Sequence, residues 1–64
     1  MTKAQVARQP VPFIAGYYDA SRPHGCGHWL MLHRVPIMGA AQVEYWRGFE
    51  MGLADTVPYK LEQE

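Results

Sequence analysis

The feature that most constrains this chain is a pair of glycines, four residues apart, in an aromatic stretch of its second half. At helical spacing, Trp46, Phe49 and Leu53 form one apolar stripe. Gly48 and Gly52 share a second face that carries no side chains. Each glycine inside a helix costs about 1 kcal/mol relative to alanine, and close packing against the bare backbone would offset that cost. The stretch therefore predicts a helix that another part of the chain approaches closely.

A similar pattern occurs earlier in the chain. Residues 13–20 and residues 45–52 both have the order aromatic, large apolar, any, glycine, aromatic, any, any, small. The small residues of the first copy are Gly16 and Ala20. Two such helices can cross with their backbones close and their aromatic rings interleaved, as ridges in grooves. A chance match between two short patterns is the alternative.

Prolines and glycines predict the ends of these helices. The first helix covers about residues 12–21, and Pro23 stops it. The second covers about residues 36–55, with Pro36 as its opening residue, and Pro58 excludes further regular helix. The sequence thus predicts a mainly α fold of two antiparallel helices.

The segments outside these helices are predicted to be irregular. Residues 22–35 form an apolar, turn-rich connector, in which the run Trp29–Leu32 favours a short extended segment over a helical turn. Residues 1–9 are predicted to be a frayed or disordered arm, and residues 56–64 a polar tail. The whole chain, residues 1–64, is one small domain whose thin core predicts a homodimer or docking to a larger assembly.

Composition argues against several function classes. Six basic and six acidic residues cancel, so the chain lacks the positive excess that holds a nucleic-acid backbone, and we expect no direct DNA binding. No apolar run approaches the roughly 20 residues that span a bilayer. The polar N-terminus lacks the apolar core of a signal peptide. The single cysteine, Cys26, excludes an internal disulfide, so we expect a reducing compartment, the cytoplasm.

All three histidines and the only cysteine fall within ten residues: His24, Cys26, His28 and His33. Zn²⁺ takes four nitrogen or sulfur ligands, and a metal would stabilise so small a core. A zinc-stabilised mini-domain is therefore one hypothesis. The spacing is not that of a zinc finger, however, and there is no Cys-x-x-Cys. We favour solvated histidines, a buried cysteine and no cofactor.

Cys26 beside a histidine also has the residue types of a nucleophile and its base. No residue is available to orient such a base, and short helices hardly enclose the roughly 300 Å³ of a ligand site. We therefore predict that the chain is not an enzyme.

Several exposed residues of the types that protein interfaces favour predict a binding patch. We expect Leu30 and Leu32 to close the core instead, and Trp29 fits either role. The predicted binding residues are Tyr18, Trp29, Met31 and Arg34.

Three short motifs occur in order over residues 13–55. They are Gly16-Tyr17 with Ala20, then Cys26 in the connector, then Trp46 with Gly48-Phe49. In this arrangement and in length, the chain resembles the ribosome modulation factor family and its relatives among small plasmid and phage proteins. The resemblance implies a helical pair and a ribosomal partner. Members that bind rRNA are strongly basic, whereas this chain is neutral, which favours a protein target.

These observations predict a small, non-catalytic regulator that binds and modulates a larger macromolecular assembly. The resemblance points to a ribosome and the charge to a protein. A phage- or plasmid-encoded inhibitor of a host or defence protein complex fits the size and charge equally well.

Overall fold

The computed structural model describes the backbone of residues 1–63 and the side chains as far as Thr56. Four helices follow one another: α1 (Lys3–Ala7), α2 (Val11–Asp19), α3 (His28–Leu32) and α4 (Ala40–Gln63). Residues 1–63 contain no strand. The mainly α class predicted from the sequence is therefore confirmed. Among the described helices, none combines the length and the apolar character that crossing a bilayer requires.

Helices α2 and α4 cross with their backbones in contact at the predicted glycines. A methyl group on Gly48 would overlap the carbonyl oxygen of Phe13 and lie 2.8 Å from its carbonyl carbon. A methyl group on Gly16 would overlap the carbonyl oxygen of Tyr45 and lie 2.9 Å from the amide nitrogen of Phe49. Only a hydrogen atom fits at either position. The predicted close packing of glycine backbone is confirmed.

Gly52 extends this contact by one turn, because a methyl group there would lie 2.7 Å from Cβ of Ala20. The close approaches advance in the same direction along both helices, from Phe13 at Gly48 to Ala20 at Gly52. The antiparallel arrangement predicted from the sequence is therefore not confirmed. Residues 20–39 connect the two helices. A connection of this length can run back along α2, so that α4 starts near the beginning of α2 and not near its end. Only short connections favour antiparallel neighbours.

The bounds of α4 differ from the prediction at both ends. The helix begins at Ala40 rather than at Pro36, because Gly39 has a φ of 152°, outside the helical region. It runs past Pro58 to Gln63, so the predicted end near residue 55 is wrong. Proline removes one backbone donor, but its fixed φ is compatible with a helix. The predicted polar tail thus belongs largely to α4, and its side chains from residue 57 onward lie outside the described residues.

A short helix, α1, occupies the segment for which the sequence predicted a frayed or disordered arm. Thr2 and Gln5 form a capping box: the Gln5 amide donates to the Thr2 hydroxyl at 3.1 Å, and the Thr2 amide donates to the Gln5 side chain at 2.9 Å. Such a box satisfies two of the unpaired amide donors at a helix start. Val6 is 1% exposed. The capping box and the burial of Val6 together stabilise α1.

Asp55 connects the N-terminal segment to α4. Its Oδ2 accepts a hydrogen bond from the Met1 nitrogen at 2.6 Å and another from the Tyr17 hydroxyl. The hydrogen bond to Asp55, followed by burial, raises the pKa of Tyr17 to about 12. The bonds from Met1 and Tyr17 lower the pKa of Asp55 below its usual value.

The predicted extended run Trp29–Leu32 is wrong, because these residues belong to α3. A single short helix can bury only one face. Leu30 is buried, as predicted, whereas Leu32 is 67% exposed and does not close the core. The apolar core of the described residues consists of Val6, Phe13, Ala20, Leu30 and Tyr45.

Candidate functional site

A buried carboxylate ties the connector, residues 20–39, to the crossing of α2 and α4. Asp19 is only 5% exposed. Its Oδ2 accepts hydrogen bonds from the Tyr45 hydroxyl at 2.7 Å and from the backbone amide of Trp29 at 3.0 Å. Trp29 lies in the first turn of α3, where helix amides have no partner within the helix. The last residue of α2 therefore positions α3 through a side chain rather than through continuous backbone.

Tyr45 completes this polar contact from α4. Its side chain is fully buried, and its oxygen accepts a hydrogen bond from the Gly27 amide at 3.0 Å. The same hydroxyl lies 3.2 Å from the carbonyl oxygen of Gly25. Burial, and then the hydrogen bond to Asp19, raise the pKa of Tyr45 well above its ordinary range. Its ring also stacks on Trp29, with centroids 6.0 Å apart.

The end of α3 has the hydrogen bonds of a Schellman motif. The Val35 amide donates to the Leu30 carbonyl at 3.0 Å, and the Arg34 amide donates to the Met31 carbonyl at 3.2 Å. Arg34 occupies the left-handed position with a φ of 50°, where helices usually have glycine. A side chain there costs about 1–2 kcal/mol. The motif directs the chain from α3 toward α4 and places Val35 beside Leu30.

An open apolar groove with a volume of about 410 Å³ lies between α3 and the first two turns of α4. We call it the connector groove. Two of its side chains are almost fully exposed: Met31 at 80% and Ile37 at 87%. Met38, next to Ile37, is 88% exposed. The residues that line the connector groove are Gly27, Leu30, Met31, Arg34, Val35, Ile37, Gln42 and Trp46.

Trp46 forms the α4 side of the connector groove, and its ring is held in place. The indole nitrogen donates to the Gln42 side chain at 2.9 Å. The ring packs edge to face on Tyr45, with centroids 5.0 Å apart, and on Phe49 at 5.4 Å. It is nevertheless 38% exposed. Such a preoriented, accessible tryptophan is typical of binding hot spots.

The connector, residues 20–39, carries basic residues but no acidic ones. Its basic residues are two arginines and three histidines. All five of these side chains are exposed: Arg22, His24, His28, His33 and Arg34. In the part of the chain whose side chains are described, the ion pairs are Met1 with Asp55 and Arg47 with Glu44. The Arg34 guanidinium therefore has no carboxylate partner within that part.

The structure brings together two of the four predicted binding residues. Met31 and Arg34 both line the connector groove. Trp29 instead packs between Tyr45 and His33, with centroids 4.9 Å from the His33 ring, and is only partly exposed. Tyr18 is 43% exposed on α2, against Tyr17, and does not line the groove.

The candidate metal ligands do not converge. Within the described residues, no three side chains of histidine, cysteine, aspartate or glutamate lie close enough together to hold a metal ion. His24, Cys26, His28 and His33 are all exposed. The buried position expected for Cys26 is therefore wrong. The described loop therefore does not bring these side chains into the tetrahedral arrangement that Zn²⁺ requires.

A smaller depression of about 250 Å³ lies where α2 meets the middle of α4. Phe13 and Met51 contribute apolar surface there, beside Arg47 and Glu50. Arg47 already pairs with Glu44 at 3.3 Å. The connector groove is larger and has far more exposed apolar side chains, so it is the stronger candidate for binding.

Sequence reasoning missed the α4 side of the groove and its most exposed member, Ile37. The interval Pro36–Gly39 encloses two large apolar residues between strong helix breakers. That composition is typical of a loop. The prediction placed these residues at the start of the second helix, whereas Ile37 and Met38 lie in the loop before α4 and are exposed.

No protein-family model, no curated protein and no solved structure matches this chain. The resemblance to the ribosome modulation factor family therefore stays a prediction.

Proposed function

We propose that this chain is a small, non-catalytic regulator that binds a larger macromolecular assembly through the connector groove. The observation that carries the proposal is the exposure of Met31 and Ile37, each at least 80% accessible, in a groove that the oriented ring of Trp46 also lines. Large apolar side chains grouped in this way on one face mark interaction sites more often than isolated ones do.

The position of the groove supports the same function. Its floor, Leu30 and Val35, belongs to the Schellman motif, and its wall, Trp46, belongs to the crossing helix. The site is thus built before a partner arrives, which reduces the entropy lost on binding. The groove residues are also of types that interface cores favour, namely methionine, tryptophan and arginine.

A protein partner fits the observations best. The formal net charge is zero at pH 7, and the groove surface is predominantly apolar. A ribosomal partner is the second candidate, and it is favoured by the exposed arginines and histidines of the connector. Phosphate contacts would make ribosome binding strongly dependent on salt, whereas apolar contacts would not.

The test compares two exposed apolar residues inside the groove with one outside it. The double variant Ile37→Ser, Met31→Ser removes apolar surface from the groove. The matched control, Val11→Ser, changes a side chain that is 66% exposed on α2. Because all three positions are exposed, the free energy of unfolding should change by no more than about 0.5 kcal/mol for each substitution. Affinity capture from the native host, read by quantitative mass spectrometry, then measures which proteins depend on the groove.

We expect partners that the parent and Val11→Ser retain and the double variant loses. Identical capture by all three chains would remove the groove from the function. Sedimentation with ribosomes at low and high salt tests the second candidate. A ribosomal partner would be favoured over a groove-bound protein by two results together. The parent chain would co-migrate with ribosomes at low salt but not at high salt, and the double variant would still co-migrate at low salt.

A further inference from the structure

From the groove and its charged rim together, we infer that the partner enters as an amphipathic helix with a carboxylate that pairs with Arg34. This inference rests on the proposed function and names the chemistry of the partner. The groove is open, lies between α3 and the start of α4, and is lined mainly by apolar side chains. Such sites accept the apolar face of a helix at positions i, i+3, i+4 and i+7.

Arg34 makes the site selective for charge. It is the only ionisable side chain among the groove-lining residues. It forms no ion pair with a carboxylate of the described side chains, and its neighbour His33 is also exposed. A lysine or arginine of a partner at this rim would meet like charge, whereas an aspartate or glutamate would gain a charge-assisted pair.

The backbone conformation of Arg34 also supports a role for this residue in binding. Glycine would satisfy the left-handed position at the end of α3 without strain, yet an arginine is present at a φ of 50°. Its side chain makes no hydrogen bond within the described residues that would explain its presence. A residue in a strained conformation whose side chain has no structural contact is a candidate for a role in binding.

The full chain provides the test, with designed peptides as probes. Three helical peptides of about 14 residues share leucines at i, i+3, i+4 and i+7. Their flanking positions are all glutamate, all glutamine or all lysine. Nuclear magnetic resonance shifts of the isotope-labelled chain locate the bound peptide, and titration gives each dissociation constant.

We expect the glutamate peptide to bind in the connector groove about tenfold more tightly than the glutamine peptide, and the lysine peptide to bind weakest. Arg34→Gly, which removes the charge and relieves the backbone, should abolish the preference without lowering the melting temperature. Arg34→Glu should reverse it in favour of the lysine peptide. Arg22→Gln, at an exposed arginine that does not line the groove, is the matched control and should change nothing.

Equal affinity for the three peptides, or a preference that survives in Arg34→Gly, would overturn the inference. So would peptide shifts that fall outside the groove, concentration-dependent self-association that buries it, or a short single-stranded RNA that displaces the glutamate peptide. These results leave the proposed function separately testable. If the groove double variant still loses its cellular partner while the peptides show no charge preference, the regulator proposal stands and only the acidic helix is excluded.

Discussion

The helix crossing and the connector groove are opposite solutions to packing within one small chain. At the crossing, Gly16 and Gly48 leave no room for a single methyl group. At the groove, about 410 Å³ stays open and Ile37 is 87% exposed. The first region uses bare backbone to bring two helices together, and the second presents large side chains with nothing against them.

This difference separates the residues that hold the fold from those available for binding. Close backbone contact is intolerant of any added atom, because the carbonyl that it meets belongs to another helix and cannot rotate away. An exposed side chain in a groove has no such neighbour. Stability should therefore respond strongly to changes at the crossing and weakly to changes at the groove.

The largest effect should come from Gly48→Ala. In an ordinary helix this change stabilises by about 1 kcal/mol. Here the new methyl group would overlap the Phe13 carbonyl, so we expect a loss of about 3 kcal/mol or more, enough to unfold much of so small a domain. Chemical denaturation followed by circular dichroism measures the change.

Gly27→Ala is the matched control for that substitution. Nothing lies within 4 Å of a methyl group there, although the φ of 76° imposes strain. We expect a loss of about 1–2 kcal/mol from the strain alone. A Gly48→Ala variant as stable as the parent would show that the two backbones are not in contact.

A smaller loss should follow Tyr45→Phe, which removes the hydroxyl that links Asp19 to the loop before α3. The change leaves the Gly27 amide without its acceptor and takes one donor from the buried carboxylate. A loss of about 1–3 kcal/mol is expected for such unsatisfied buried groups. Tyr18→Phe, at an exposed ring, is the control and should stay within about 0.5 kcal/mol of the parent. Equal melting of both variants would contradict a structural role for the Asp19 contact.

Alkaline pH should destabilise the fold through the same hydroxyls. The pKa of Tyr17 is raised from 10.0 to about 12, and that of Tyr45 is also raised. Above pH 10 the unfolded chain loses these protons before the folded one does. The stability that the raised pKa values contribute is therefore complete below pH 10 and is lost as pH rises. Denaturation midpoints between pH 8 and about pH 11.5 should fall less steeply in Tyr45→Phe than in the parent. If the midpoints of the two proteins fell equally steeply with pH, Tyr45 would not contribute to the loss of stability at alkaline pH.

The smallest effect, and one of opposite sign, should come from Arg34→Gly. Glycine removes the strain of a φ of 50°, and it also gives the unfolded chain more freedom. We expect stability to stay unchanged or rise by up to about 1 kcal/mol. Thermal melting against the parent measures it. A clear loss would mean that the arginine side chain supports the fold.

The sequence predicted the crossing well because its cause is local. Two glycines at helical spacing beside aromatic residues indicate close helix packing, and the same pattern in residues 13–20 identified α2 as the partner of α4. The relative direction of these two helices depends on the length and shape of the connector, which no residue pattern encodes. The bounds of α4 failed because Pro36 and Pro58 are tolerated at more than one position relative to a helix.

The groove was harder to predict, because it is assembled from separate segments. Met31 and Arg34 were identified from their residue types, but Trp46 and Ile37 join them only through the fold. The Asp19 carboxylate gave no sequence signal at all, since an acidic residue near a helix end is usually solvated. Its burial follows from the crossing, which places Tyr45 beside it.

The oxygen atom Oδ2 of Asp19 accepts one hydrogen bond from each of two separate helices. Separating α3 from the two crossing helices would therefore break a hydrogen bond that the buried Asp19 side chain accepts, so the connector groove and the crossing should unfold together. A ligand bound in the groove would therefore raise the free energy of unfolding of the whole chain, even if it contacts few residues.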